Sequence, residues 1–200
     1  MKNYLERFKA MVKELEDNPK IIVKRFEIKP PATEAELASV EGKIKLTRDM
    51  VDFYTEANGL ELEWELKDSV NQSTSGNVNL LPVQNVFGDW KGAIYFDWEG
   101  GDTFKALHPV DFFVPEACAA FNLDGSENPE IYYHYCGEEM ESMKIKFREY
   151  LELLLKSRGF WYWQTAVAAG FKGVGSTETV KFMEIMPEIF PDFDSGDFLL

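Results

Sequence analysis

Thr47 to Trp64 read TRDMVDFYTEANGLELEW, and this stretch decides the fold class. Met50, Phe53, Tyr54 and Ala57 recur at helical spacing, so the residues after Thr47 read as a short amphipathic helix with one buried face. Asn58-Gly59 supplies two residues that tolerate positive φ, which stops a helix. Leu60, Leu62, Trp64 and Leu66 then alternate with Glu61, Glu63 and Glu65, the period of a half-buried strand. Helix, glycine stop and strand follow one another closely, and the glycine fixes the turn between them.

Working outward, the N-terminal side predicts a helix with the stripe Tyr4, Phe8, Met11, Val12 and Leu15, ending near Asn18-Pro19. Residues 19–32 read as a connector with one short extended piece, closed by Pro30-Pro31. Thr33-Glu34-Ala35-Glu36 matches a capping box and predicts a helix through Leu37 and Val40.

On the C-terminal side, Asp68 to Asn77 (DSVNQSTSGN) is polar and aperiodic and reads as a mobile loop. Val78–Leu81 reads as a short strand. Ile94–Trp98 and Thr103–Leu107 flank Glu99-Gly100-Gly101-Asp102 as a hairpin. Pro109 and Pro115 bracket an edge strand. Ala117–Leu123 is strand or helical turn, and Ile131–Cys136 alternates as a further strand. From Glu138 the period turns helical through Met140, Met143, Phe147, Tyr150, Leu151, Leu154 and Leu155, with Gly159 as the stop. Phe160 to about Ala169 reads as a second, more apolar helix. Gly170–Leu200 is rich in Gly and Pro and reads as a loosely packed acidic extension. The expected organisation is one domain over 1–169 with an extension over 170–200. Helices, then strands, then helices make an α+β pattern, not the βαβ alternation of a parallel sheet.

The chain has 200 residues, 45% of them hydrophobic, with 16 Phe, 8 Tyr and 5 Trp. That suffices for a sizeable core. The net charge of −14 is unevenly spread. Residues 1–29 carry eight Lys/Arg against five Asp/Glu, and residues 49–143 carry three against nineteen, a local net of −16. Such a field repels nucleic acid and anionic membranes and speeds encounter with a basic partner; an acidic excess also simply favours solubility. No apolar run approaches a membrane span, and the charged first stretch lacks the pattern of a secretion signal. A cytoplasmic location is expected, and Cys118 and Cys136 give no disulfide framework.

The motifs are weak. Cys118, Cys136, His108 and His134 match no zinc spacing. Gly170 to Thr177 (GFKGVGST) lacks the phosphate-loop lysine before Ser176. Asp192 to Asp197 (DFDSGD) has its glycine one position early for a calcium loop. No catalytic set and no cofactor fingerprint is present. The candidate binding residues are Glu61, Glu63 and Glu65 on one strand face, with Trp90, Asp97, Glu99 and Asp102 as an aromatic anchor and further carboxylates. The strand row also reads as an ordinary solvated sheet face, and Phe160–Trp163 as core with some rings left at a groove.

Several blocks in order carry a family resemblance: Pro31-Ala32-Thr33-Glu34-Ala35-Glu36-Leu37, Phe53-Tyr54 with Ala57-Asn58-Gly59-Leu60, Leu62 with Trp64, and Asn77-Val78-Asn79-Leu80-Leu81-Pro82. Trp90, Phe104 through Pro109 with Asp111 and Phe113, Tyr132-Tyr133-His134, Phe147 with Tyr150-Leu151, and Arg158-Gly159-Phe160 complete the series. Over roughly residues 30–165 this order resembles the SUKH superfamily, the Smi/Knr-like family of cell-wall-synthesis regulators and toxin-immunity proteins. The resemblance implies a mixed, largely antiparallel sheet with helices packed against it and no shared catalytic residues. It implies a protein-binding module, either an immunity protein that neutralises a toxin, often a nuclease, or an intracellular regulatory scaffold; the acidic middle of the chain adds the expectation that such a toxin is basic, and no enzyme activity or cofactor is expected. A small hydrolase using surface carboxylates is the alternative from another class.

Overall fold

The computed structural model describes residues 3–67, 74–97, 104–135, 139–168 and 176–199. The order of elements is α1 (Tyr4–Asp17), β1 (Ile21–Ile28), α2 (Glu34–Ala38), α3 (Arg48–Tyr54), β2 (Leu60–Leu66), β3 (Ser75–Leu80) and α4 (Val83–Val86). Then come β4 (Leu107–Val114), β5 (Ala117–Asn122), β6 (Ile131–Tyr135), β7 (Glu139–Ser142), α5 (Phe147–Ser157) and α6 (Thr177–Ile189). The strands form one seven-stranded sheet whose spatial order follows chain order, and every pairing is antiparallel. This is an α+β fold, and its sheet is wholly antiparallel among the described residues.

The α3–β2 unit forms as its sequence dictates. Thr47 Oγ1 accepts the Met50 N–H at 3.3 Å, and Met50, Phe53 and Tyr54 are buried. Gly59 adopts φ +111°. The helix ends earlier than the expected Asn58-Gly59 stop, at Tyr54 with Thr55 as its C-cap; Asn58-Gly59 makes the turn into β2, and Asn58 Oδ1 accepts the Val83 N–H at the start of α4 at 2.8 Å. The expected capping box is present, with the Glu36 N–H on Thr33 Oγ1 at 3.2 Å and the Thr33 N–H on Glu36 Oε2 at 2.8 Å.

One face of the sheet carries Leu60, Leu62, Trp64, Val78, Leu80, Phe113, Ala119, Phe121, Ile131 and Tyr133 into the main core. Helices α1, α3 and α5 close over it. Phe53 lies edge-on to Tyr4, Phe8, Tyr54 and Phe147, with ring centroids 5.1–6.4 Å apart. These edge-to-face contacts add to the area that burial removes from water.

Several expectations are corrected. Residues 21–28 are a full strand; the register slips between Val23 and Arg25, so the apolar alternation Ile21, Val23 resumes out of phase at Phe26, Ile28, and a fixed period of two misses it. β3 begins at Ser75, inside the stretch read as loop, whose residues 68–73 lie outside the described residues. Pro109 lies in the fourth of seven strands, not on an edge. It sits at a register shift before Asp111, where a bulge tolerates a residue without an N–H.

Ile94–Asp97 and Phe104–Ala106 form turns and an isolated bridge instead of hairpin strands, and the hairpin tip lies outside the described residues. Glu139–Ser142 is strand β7, paired with β6, not the first turn of α5. Met140 and Met143 look helically spaced but serve opposite faces of the sheet. The end of α5 is as expected: Arg158 is the C-cap at φ +52°, and Gly159 follows as the stop at φ +68°. Phe160–Ala168 is irregular with a 3-10 turn at Trp163–Ala166, because Tyr162 takes φ +57°.

Residues 176–199 are a docked part of the fold. Ser176 caps α6 by accepting the Thr179 N–H at 3.0 Å. Phe182, Met186, Ile189, Phe190 and Phe198 are buried. Arg158 fastens this segment: its guanidinium donates to Glu14 at 2.8 Å and Asp192 at 3.0 Å and lies over the Phe190 ring at 4.4 Å.

Candidate functional site on the open half of the sheet

The second face of the sheet is covered over only part of its width. Over β4–β7 it carries Leu107, Phe112, Cys118, Ala120, Tyr132 and Met140, and the segment between α4 and β4 lays Trp90, Ile94 and Phe104 on them. Trp90 is pinned there: its Nε1–H donates to the Val86 carbonyl at 2.9 Å, and its ring lies 5.8 Å from Phe112. Trp90 thus covers the sheet as well as showing one edge to solvent. Asp97 is exposed and ion-paired with Lys91. Glu99 and Asp102 lie outside the described residues.

Over β1–β3 no apolar cluster of the described residues covers the same face. The pleat places Glu61, Glu63 and Glu65 in one row, as their alternation requires. β1 answers that row with cations. Glu61 meets Arg25 at 2.5 Å and Lys29 at 3.2 Å, and Glu65 meets Lys24 at 2.7 Å. Glu63 is exposed and has no salt bridge among the described residues. Pairs this open to water contribute little stability each, but they change the surface: the row is a charge-matched lattice with Glu63 as its unmatched carboxylate. Three of the eight basic residues of 1–29, namely Lys24, Arg25 and Lys29, thus find their place on the β2 row.

Beside this lattice the sheet splits. β3 and β4 share only the pair Leu80 and Asp111. The rest of the β3 edge is taken by residues after α5, with the Asn77 N–H on the Gly159 carbonyl at 2.8 Å and the Trp161 N–H on the Ser75 carbonyl at 2.9 Å. Gly76 makes room for the Trp64 indole, which a Cβ there would meet at 2.0 Å and whose Nε1–H reaches the Arg158 carbonyl at the end of α5. The split leaves a cleft of about 320 Å³ lined by Arg25, Glu61, Glu63, Asn77, Asn79 and Phe112, with Val114 and Pro115 at one end.

Of the residues singled out in sequence, the cleft therefore gathers Glu61 and Glu63. Glu65 continues their row, and Trp90 touches the site through Phe112. Asn77, Asn79, Phe112 and Arg25 were not foreseen as part of it. Asn77 and Asn79 had a readable signal, since they alternate with Gly76, Val78 and Leu80 in the pattern of β2.

The remaining candidate chemistry is structural. His108 Nδ1 contacts the Val86 carbonyl at 3.1 Å, and burial lowers its pKa. His134 is buried under the Phe104 ring at 4.7 Å and stands opposite Cys118 in the β5–β6 ladder. In the calcium-like stretch Asp192 pairs with Arg158, Asp194 caps the Gly196 N–H at 2.8 Å, and Asp197 pairs with Lys156. Among the described residues no group of three His, Cys, Asp or Glu is placed to hold a metal, and no helix is long and apolar enough to cross a membrane.

What the site offers is carboxylates, side-chain amides and one aromatic edge in a shallow cleft, an arrangement suited to holding a polar or basic macromolecular surface. No family model matches the chain, and no curated protein matches it either.

Proposed function

We propose that this chain is a non-catalytic protein-binding module of the SUKH type, acting as an immunity protein that captures a basic toxin, and that the open β1–β3 face with its cleft is the binding surface. The observation that carries the reading is the asymmetry of the second sheet face: half is sealed by Trp90, Ile94 and Phe104, and half presents ordered charged and amide side chains to solvent. An antiparallel sheet keeps one face wet at no cost to folding, which leaves that face available to a partner. The acidic stretch over residues 49–143 steers a basic partner toward the molecule. Glu63 and the Asn77 and Asn79 amides supply the local contacts, and the paired Glu61 and Glu65 set register by offering fixed charges on both sides.

The test is affinity capture from the native host at low and moderate salt, repeated with Glu63→Lys and with Asn77→Arg. A single basic protein retained by the wild type, and lost or strongly weakened with both variants, is the expected result. Capture of no protein at either salt, or capture unaffected by both substitutions, refutes the surface assignment.

A further inference from the structure

The two halves of the sheet are joined by very little backbone. Beyond the pair Leu80 and Asp111, the Leu81 N–H donates to the Val110 carbonyl at 2.9 Å. At Asn79 the acceptor is a side chain: its N–H donates to Asp111 Oδ1 at 2.8 Å. Asp111 Oδ2 accepts the Tyr150 hydroxyl at 2.7 Å, and Gln164 Nε2 donates to the same Tyr150 oxygen at 3.2 Å. One carboxyl group thus ties together β3, β4, α5 and the turn after the residues that occupy the β3 edge.

Asp111 is fully buried, and no cation among the described residues acts on it. The groups acting on it are the Tyr150 hydroxyl from α5 and the Asn79 amide from β3. The Cys118 thiol on β5 acts on Tyr150 in turn, and the turn contributes the neutral Gln164. A buried carboxylate held by two donors and no counter-charge gains hydration whenever it reaches water; a neutral carboxylic acid does not. Separation at this seam leads Asp111 toward water, because Asn79 and Phe112 beside it already line the cleft.

We propose that the β3–β4 seam is a proton-operated clasp, closed tightly when Asp111 is neutral and opening locally when Asp111 is ionised. The neutral form keeps the Asp111–Tyr150 contact with its direction reversed. Asp111 donates to Tyr150 Oη, and the Tyr150 hydroxyl turns to Gln164, whose Oε1 has no partner in the observed orientation and reaches the contact by rotation of its amide.

Burial pushes the Asp111 carboxyl up from its ordinary 3.8 to about 6 in the closed form, and an opened, hydrated Asp111 returns to the ordinary value. The closed seam binds the proton more tightly, so opening is rarest below the ordinary value and rises as pH climbs through the closed-state value. One unit of pKa being tenfold, opening becomes about 25-fold more frequent between about pH 4.5 and about pH 7.5.

The test is residue-resolved amide hydrogen exchange on the full chain across that range, corrected for intrinsic rates. The Asn79 and Leu81 amides should lose protection by that factor, while the amides of the β5–β6 ladder keep theirs. In Asp111→Asn the seam amides should become insensitive to pH. In Tyr150→Phe the midpoint should move to higher pH, because the lost hydroxyl favours the carboxylate. Constant protection of Asn79 and Leu81 in the wild type overturns the proposal, even if Asp111→Asn fails to fold. Loss of protection shared by all strands also overturns it, since that is global destabilisation and not a seam.

Discussion

Gly59→Ala tests the turn on which the fold reading rests, and its cost can be worked from the structure. Gly59 has φ +111°, a region costing an L-residue about 1–3 kcal/mol. A Cβ placed there stands 2.6 Å from the Leu80 carbonyl oxygen and 3.2 Å from the Pro82 nitrogen, both backbone atoms of the neighbouring strand and its exit. The turn cannot slide away. The Lys29 N–H donates to the Gly59 carbonyl at 3.0 Å, the Asn58 N–H to the Pro30 carbonyl at 3.1 Å, and the Asn58 side chain holds the start of α4.

Overpacking of this kind adds about 1–3 kcal/mol, and the stiffer unfolded chain returns about 0.4–1 kcal/mol. The expected net loss is about 2–4 kcal/mol, a large share of the stability of an ordinary domain. Urea unfolding followed by tryptophan fluorescence reads it as a lower midpoint at unchanged slope. Gly42→Ala is the matched control, because nothing lies within 4 Å of a Cβ there, and it should lie within about 0.5 kcal/mol of wild type. A Gly59→Ala protein no less stable than the Gly42→Ala protein would refute the reasoning.

Gly76→Ala should destabilise by about 3 kcal/mol or more in the same assay, because the added methyl meets the fully buried Trp64 ring; loss of the Trp64 Nε1–H bond to the Arg158 carbonyl, 2.7 Å in the native fold, should appear as an indole N–H shift by NMR. Arg7→Met should blunt acid sensitivity. Arg7 holds the Glu152 carboxyl below its ordinary 4.5 through paired hydrogen bonds of 2.6 and 2.5 Å. That contribution is complete above 4.5 and is lost as pH falls through the lowered folded-state value. The gap in melting temperature between wild type and Arg7→Met should therefore be constant near neutrality and shrink in acid.

Local signals were legible wherever one residue type does one job. The stripe of α1, the Thr33 capping box and the β2 alternation all appear where their sequence places them, while α3 ends at Tyr54, short of the Asn58-Gly59 turn. Pattern reading failed where one segment serves two environments. β1 is broken by a bulge, β7 is too short for a period of two to be told from a helical one, and Phe160–Ala168 has helical composition with a left-handed Tyr162. The C-terminal residues show why composition misleads. Phe182, Phe193 and Phe198 pack on one another with centroids 4.9–5.5 Å apart, yet their carboxylate neighbours make the stretch look solvated. The acidic row was readable on β2, but its pairing with Lys24, Arg25 and Lys29 depends on a register that only the folded sheet defines. The cleft was the least legible part, because it results from the absence of a β3–β4 ladder, which no residue type announces.

The seven-strand meander has a consequence for how the chain is made. Each strand lies beside the one synthesised before it, so the sheet is able to grow in order as the polypeptide emerges from the ribosome, each closure spanning a short separation. The β3 edge is the exception. Its partners, Gly159 to Trp161, arrive about eighty residues later, so until they emerge the nascent sheet carries an unguarded strand margin in its middle. Slowing elongation between β4 and α5 should therefore raise aggregation more than slowing it anywhere earlier.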